Sequence, residues 1–441
     1  MIGVVVSRAD SASEHVGEHL LDLVDWTTAT DDERPDGEGG GTVYRRPGFE
    51  LREFDDRHLD LAGVAAVFDD PELVVFASRH AGETGPLLTA HFTGNFGSAD
   101  LGGDPNTLPR AAPNAQKQVL AALEAHAPDG YETGLEGTHH GPTTVGAPSL
   151  FVEVGSDEEQ WADPDGARAV ARAILDLEGV APDGDRHLVG FGSGHYVPRP
   201  TRIVRETDWA FGHVATDWAL AELGDPADHR DVLDQAFRQS AAEYAVVVDD
   251  HPDLVAVVED LGYRVVGETW VRETDGVPLS LVEVLEGDLS TVDDGLRFGR
   301  PARGYRGEYV VSSLPDDLLE EAHGIDADAM LAAVAETALA FETHEAGNRV
   351  GGMAAFPDPT ARDDLVDRLV AVLAEKYDAV ERHAGQVVAH ETAFDPEKAA
   401  TLGIPEGPAF GKLARGEAVT VRGETIDPET VSTERTLTFE G

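Results

Sequence analysis

The chain has no cysteine, which excludes disulfides and thiolate metal sites, so any metal bound here rests on histidine and carboxylate ligands. Cations are scarce as well: 33 Lys and Arg face 84 Asp and Glu, a formal net charge of −51. At ordinary ionic strength such self-repulsion opposes compaction. In molar salt, where the Debye length is about 3 Å, it is screened. This balance reads as that of a cytoplasmic protein from a salt-accumulating halophile. No run reaches the roughly 18 apolar residues of a membrane span, and MIGVVVSRADSASEH lacks the basic and apolar regions of a signal peptide. Walker and dinucleotide fingerprints are missing, as are the G-x-S-x-G elbow and the H-E-x-x-H helix.

What is present suits a folded protein of more than one domain: 441 residues, 41% of them hydrophobic. Residues 2–6 read as a buried strand, and 11–24 as a helix with Val16, Leu20, Leu21 and Val24 on one face. The acidic, Gly-rich stretch 31–41 reads as a surface loop, and apolar runs follow at 61–68 and 73–76. Helices are predicted at 114–125 (capped by Asn114), 164–177, 209–223, 230–242 and 252–261, and strands at 149–154, 188–191, 244–248 and 263–266. Such alternation argues for an α/β fold, a mostly parallel sheet flanked by helices. Apolar periodicity lapses at 286–304, giving a catalytic domain over 1–285, a linker, and an α+β extension over 305–441. The extension carries predicted helices at 326–342 and 360–376, a strand at 386–392 and a turn-rich stretch at 403–423.

Four segments of similar design stand out: LVVFASRH (73–80), PLLTAHFTGN (86–95), LEGTHHGPT (135–143) and HLVGFGSGHY (187–196). Three are short apolar runs breaking into Ser, Thr, Gly and His, while THHGPT leads into the apolar PSLFVEV. Loops of this kind fit the carboxyl ends of parallel strands, where open α/β sheets bind ligands. Acidic residues are missing from 84–99, 105–123, 137–152 and 187–205, so burial, a metal or a polyanion excludes negative charge there.

The chemistry then falls to His80, His91, His139, His140 and His195. A loop can aim the adjacent pair His139 and His140 inward, and with a third His and a carboxylate such as Glu136 they make an open Zn²⁺ site. Such a site polarises an ester carbonyl and lowers the pKa of a bound water to about 7. His91 reads rather as a loop histidine bonded to backbone. Ser78, Thr89 and Thr138 offer hydroxyls, with water the favoured nucleophile. Arg199, Arg202 and Arg205 suit either phosphate or a solvated strip.

In combination, SRHAGETGPLLTAHFTGN, GTHHGPT, FVEVGSDEEQW and GFGSGHYVPR resemble the archaeal and plant type of D-aminoacyl-tRNA deacylase, across roughly 1–285. Ser193 replaces the glycine associated with that family's loop. The resemblance implies a zinc-dependent hydrolase with an α/β fold related to peptidyl-tRNA hydrolases, cleaving the ester between a D-amino acid and the 3′ end of tRNA. It implies catalytic roles for His80, Thr138, His139, His140 and His195, and metal ligands among His80, Glu136, His139, His140 and His195. Substrate contacts fall to Ser78, His91, Asn95, Phe96, Gly141, Pro142, Tyr196 and Arg199, with Phe92, Phe96, Tyr196 and Arg199 placed to stack on or clamp the terminal adenosine. The loops at His80, Asn95 and Gly141–Pro142 suit a pocket that rejects the L enantiomer.

A −51 chain binding tRNA requires local recognition by shape and stacking, with the carboxylate-poor windows as the tRNA face. The expected partner is tRNA alone, without DNA or membrane, and the chain acts as a monomer. Two other classes stay open: a metal hydrolase or phosphorylase of a small ester or nucleoside, and a non-enzymatic RNA-binding protein with structural histidines. The charge also sets a stability test: the melting temperature is expected to fall steeply as KCl drops below about 1 M. A value unchanged between roughly 0.1 and 2 M would contradict the halophile reading.

Overall fold

The computed structural model describes residues Met1–Gly441, and the chain divides into two compact units, Met1–Arg272 and Glu273–Gly441. This division precedes the expected linker because the acidic stretch is itself folded: Leu279–Asp288 is a helix and Leu296–Phe298 a strand.

The first unit begins with β1 (Ile2–Ser7), every residue buried, and α1 (Ser11–Leu23). Asp10 caps α1, its carboxylate accepting the main-chain N–H groups of Ala12 and Ser13. Next come β2 (Thr27–Asp31), β3 (Gly41–Arg46), β4 (Phe49–Phe54), β5 (Leu73–Arg79), β6 (Leu87–His91), α2 (Pro113–His126), β7 (Glu132–Leu135) and β8 (Ser149–Gly155). After α3 (Glu158–Trp161), α4 (Pro164–Leu175), β9 (His187–Phe191) and α5 (Pro198–Glu206) follow β10 (Ala210–Ala215), α6 (Asp217–Leu223), α7 (Arg230–Ser240), β11 (Tyr244–Val247), α8 (Pro252–Asp260) and β12 (Arg264–Val265).

Two sheets result. One has eight strands in the order β2-β3-β4-β1-β5-β8-β6-β7, parallel from β4 through β8; the other, β10-β9-β11-β12, is parallel throughout. In the large sheet β6 runs antiparallel to β8 and parallel to β7, and β2, β3 and β4 form antiparallel pairs at the other edge. No helix is long and apolar enough to cross a membrane.

Register places the site. Ser78, Glu153 and Thr89 sit opposite one another across β5, β8 and β6, and Phe76, Phe151 and His91 form the row two residues away. Residues opposite and two apart share a face, so these six project from one side of the sheet. Its other side packs on α1, α2 and α4. Phe76 and Phe151 stack at 4.5 Å beneath the site.

Several elements depart from the sequence expectation. The helix predicted at 209–223 is instead β10 followed by α6, because Thr216 caps a new helix with its hydroxyl on the Ala219 N–H. Gly212 within β10 lies where a Cβ would come 2.2 Å from the Ser240 side chain, so the close approach of α7 to this strand explains the glycine. The stretch 31–41 is the span between two paired strands, β2 and β3, and the run at 61–68 forms 3₁₀ turns. Asn114 does not cap α2; its side chain donates to the Ala181 carbonyl, and Ala112 holds the cap position.

The second unit is α+β as expected. An antiparallel sheet of Leu296–Phe298, Ala340–His344, Arg349–Phe356 and Val310–Ser313 carries helices Asp316–Ile325, Ala327–Thr337 and Pro359–Leu373 around a core with Leu318, Val334, Phe356 and Leu369. The helix expected at 326–342 ends at Thr337, and Ala340 starts a strand. Since the first unit has its own sheets and cores, a chain ending at Arg272 is expected to fold. Circular dichroism and cooperative melting in molar salt check this, and an aggregated or uncooperative product would refute it.

Candidate active site

Six side chains converge above the Phe76–Phe151 stack. Glu136 follows β7 and Glu153 lies within β8, both nearly solvent-free. His80 sits just beyond β5, and its Nδ1 is 3.1 Å from Glu136 Oε1 and 3.7 Å from Glu153 Oε2. His195, in the loop after β9, places Nε2 2.7 Å from Glu136 Oε2. His91 ends β6 with Nε2 3.5 Å from Glu153 Oε1, and His139 Nε2 lies 3.9 Å from Glu136 Oε2. Main-chain bonds stitch this loop across to the second sheet, Gly137 N–H to His195 O and Thr138 N–H to Val214 O.

His91, His139 and His140 form a distinct group, with rings 4.2 to 4.8 Å apart. Each Nδ1 faces a nearby carbonyl: His91 that of Phe92, His139 that of Gly137, His140 that of Gly141, at 3.1, 2.9 and 2.7 Å. A carbonyl accepts only, so these bonds place a hydrogen on Nδ1 and, in the neutral ring, leave Nε2 as a lone pair. Histidines that ligate metals are oriented this way. One ligand atom from each of the three lies within 4.8 Å of the others, and the same holds for His80, Glu136 and His195. These two groups can hold metal ions.

Electrostatics show what the pocket requires. Burial would protonate Glu136, but hydrogen bonds from His195 and His80 hold it well below the usual carboxylate range. Glu153 is likewise depressed, burial being outweighed by His80 and His91. Burial lowers the His80 pKa, yet Glu136 and Glu153 overcome it and raise the group to about 11; Glu153 does the same for His91. Burial, then repulsion from His91, pushes His140 down to about 4 and His139 well below its usual value. Two histidine protons thus balance two buried carboxylates, a charge that one divalent cation also supplies. His91 Nε2 and Glu136 Oε1 are buried without an aligned hydrogen-bond partner, as suits atoms able to serve as metal ligands.

A cavity of about 330 Å³ opens onto the group, lined by His80, His139, His140, Glu153 and His195 together with Asp10, Arg57, His58 and Arg79. Tyr196 lies at its edge, its hydroxyl 3.1 Å from His80 Nε2.

Other residues singled out in the sequence serve elsewhere. Thr138 is buried, its hydroxyl bonded to His213 Nδ1 and to the Val214 N–H, so it holds the two sheets together and is not presented for catalysis. Phe96 packs in the core with Val189 and Phe191, and Phe92 is buried against His213; neither can stack on a base. Asn95 clamps its own loop through the Gly102 and Asp104 carbonyls. Gly141 packs where a Cβ would come 2.6 Å from Gly103 N, and neither it nor Pro142 lines the cavity. Ser78, by contrast, lines the same cavity as the histidines, its Oγ facing Asp10 at 3.5 Å, while Thr89 Oγ1 is buried unpaired beside Glu153. Arg199 and Arg202 pair with Glu268, and Arg205 with Glu124 and Thr133.

Sequence reasoning missed Glu153 and its link to His91. The signal was available: a carboxylate inside the apolar run of PSLFVEV is a charge at a buried strand position. Asp10 and His58 carried no signal beyond a helix cap and an isolated histidine.

An α/β sheet protein with a buried histidine–carboxylate centre that could hold a metal ion is thus defined. A family model described as D-aminoacyl-tRNA deacylase matches residues 67–266, and a D-aminoacyl-tRNA deacylase of Halorubrum lacusprofundi is 57% identical, covering 100% of this chain and 96% of that protein. The chain belongs to the D-aminoacyl-tRNA deacylase family. One of Natronomonas pharaonis is 55% identical with 100% of both chains covered. Among solved structures, the crystal structure of a conserved protein of unknown function superposes with a TM-score of 0.56 at 30% identity, covering 62% of this chain and 98% of that one.

The cage predicts metal binding independent of turnover. Titrating the metal-stripped chain with Co²⁺ should develop d–d absorption, and His91→Ala should weaken binding by more than the ~10- to 100-fold typical of losing an outer-shell partner. Equal affinity in the variant would remove His91 from the ligand set.

Proposed function

We propose that the chain hydrolyses the ester joining a D-amino acid to the 3′ end of tRNA, with zinc held by His91, His139 and His140. What carries the reading is the convergence of three imidazoles beside two buried carboxylates, in a chain 57% identical to a D-aminoacyl-tRNA deacylase. Three imidazoles with an open side suit zinc better than harder ions, which prefer oxygen ligands. When bound, zinc supplies a Lewis acid that polarises the ester carbonyl.

The chain's own residues handle the proton. His195 is partly exposed, lines the cavity and is oriented by Glu136 through Nε2, which leaves Nδ1 without a protein partner. That nitrogen takes a proton from water as its oxygen adds to the ester carbon. When the carbon–oxygen bond to the ribose breaks, the proton passes to the departing ribose oxygen. Products are the free D-amino acid and tRNA with its terminal hydroxyl restored. Tyr196 and His80 fix the adjoining wall, and Arg57 and Arg79 lining the cavity are the cations for the 3′-terminal phosphates. Reaction occurs in a salt-rich cytoplasm, on a monomer with tRNA as its nucleic-acid partner.

Enantiomers share the same carbonyl, so discrimination requires fixing the α-substituents. D-Tyr-, D-Asp- and D-Trp-tRNA are expected to be deacylated in molar KCl at rates within about one order of magnitude of one another, with the L esters far slower. His139→Ala and exhaustive chelation should each abolish turnover. Equal cleavage of D and L esters would move the activity to a general aminoacyl esterase, and full turnover after chelation would remove the zinc.

A further inference from the structure

The cavity that holds the histidine cage also holds a second polar pair that the proposed chemistry does not use. Asp10 and His58 both line the cavity, each with less than a tenth of its side chain exposed, and His58 Nδ1 stands 3.9 Å from Asp10 Oδ2. Phe151 touches both groups, its ring centroid 5.6 Å from that of His58 and 5.0 Å from that of His140.

Hydrogen-bond accounting fixes the character of both groups. Ser13 has one hydroxyl hydrogen, and it goes to the Ala77 carbonyl at 2.6 Å. Ser13 Oγ therefore accepts, from the Ser7 N–H at 2.9 Å and from His58 Nε2 at 3.3 Å. His58 thus carries its hydrogen on Nε2 and, buried and held near pKa 4, stays neutral, leaving Nδ1 as a lone pair. Asp10 uses Oδ1 on the Ala12 and Ser13 N–H groups, while Oδ2 takes the Arg79 N–H at 3.1 Å and a long contact from Ser78. Oδ2 and Nδ1 are consequently two acceptors facing each other at the cavity wall with no donor between them. Such a pair is satisfied by a group with several N–H donors and positive charge.

We infer that Asp10 and His58 form the subsite for the α-ammonium group of the aminoacyl ester, an inference that rests on the proposed deacylase reading. The ammonium donates to Asp10 Oδ2 and His58 Nδ1 while the ester carbonyl, two bonds away, reaches toward the cage. With these two substituents of the α-carbon fixed, the enantiomers differ in where the side chain and the hydrogen fall, which is the third contact a chiral site reads.

The test compares D-phenylalanyl-tRNA with D-phenyllactyl-tRNA, in which a hydroxyl replaces the ammonium, on the full chain and on Asp10→Asn. Asparagine keeps the helix cap, so the fold should survive, and melting in molar salt checks it. Wild type should prefer the amino ester, and Asp10→Asn should shrink that preference ~10- to 100-fold, through KM more than kcat. His58→Leu, which leaves the cap untouched, should shrink it as well. Equal losses on both esters, or no wild-type preference, would overturn the subsite. Absence of D-ester cleavage by wild type would instead overturn the deacylase reading, and the subsite with it.

Discussion

Two carboxylates buried in one pocket without a lysine or arginine beside them is the condition from which the rest of the first unit follows. Glu136 and Glu153 are compensated only by histidines, which come from β5, β6 and the loops after β7 and β9. Each must arrive from a different segment at a set position, so strand register and loop stitching are constrained together. Space is equally tight: a Cβ on Gly155 would lie 2.7 Å from the His80 Cβ, and one on Gly82 2.9 Å from His80 Nε2. Small residues around His80 are therefore a consequence of carboxylate placement.

Charge is divided sharply in this molecule. Outside the site carboxylates dominate, and the arginines that look free in the sequence are occupied, Arg199 and Arg202 by Glu268 and Arg205 by Glu124. Even Arg52, buried in β4, is held by Glu50 and Asp31. Arg57 and Arg79 line the cavity, Arg57 paired with Asp60 and Arg79 over the Trp161 ring. A polyanion approaching this surface meets repulsion almost everywhere except at the opening that leads to the histidines.

Much of this architecture was legible because helices with clean 3.6-residue periodicity and strong breaks, such as α1, α4 and α7, report themselves. Where a fully buried strand ran directly into a helix, as β10 does into α6, the two periods merged into one apparent helix. Edge strands β2 to β4 escaped for the opposite reason: β2 is mostly exposed and alternates weakly. At the site, histidines in short Gly- and Thr-rich loops were visible as chemistry, and they do converge. Their division into two groups was not legible, since it depends on which strand lies next to which: β6 beside β8 brings His91 to Glu153, a pairing that no local spacing encodes. Phe92, Phe96 and Thr138 looked functional from loop position and proved to be packing and stitching residues, because a loop between two sheets is mostly interior.

Each imidazole of the His91, His139 and His140 group is tied by its inner nitrogen to a carbonyl within two residues of itself. Ring orientation is thereby a property of three short backbone stretches and needs no distant partner to set it. An ion entering such a cage orders little that was not already ordered, so its arrival is governed by exchange with protons more than by chain entropy. Loading of such a pocket would accordingly follow acidity and ion supply more than any rearrangement of the three backbone stretches that aim the rings.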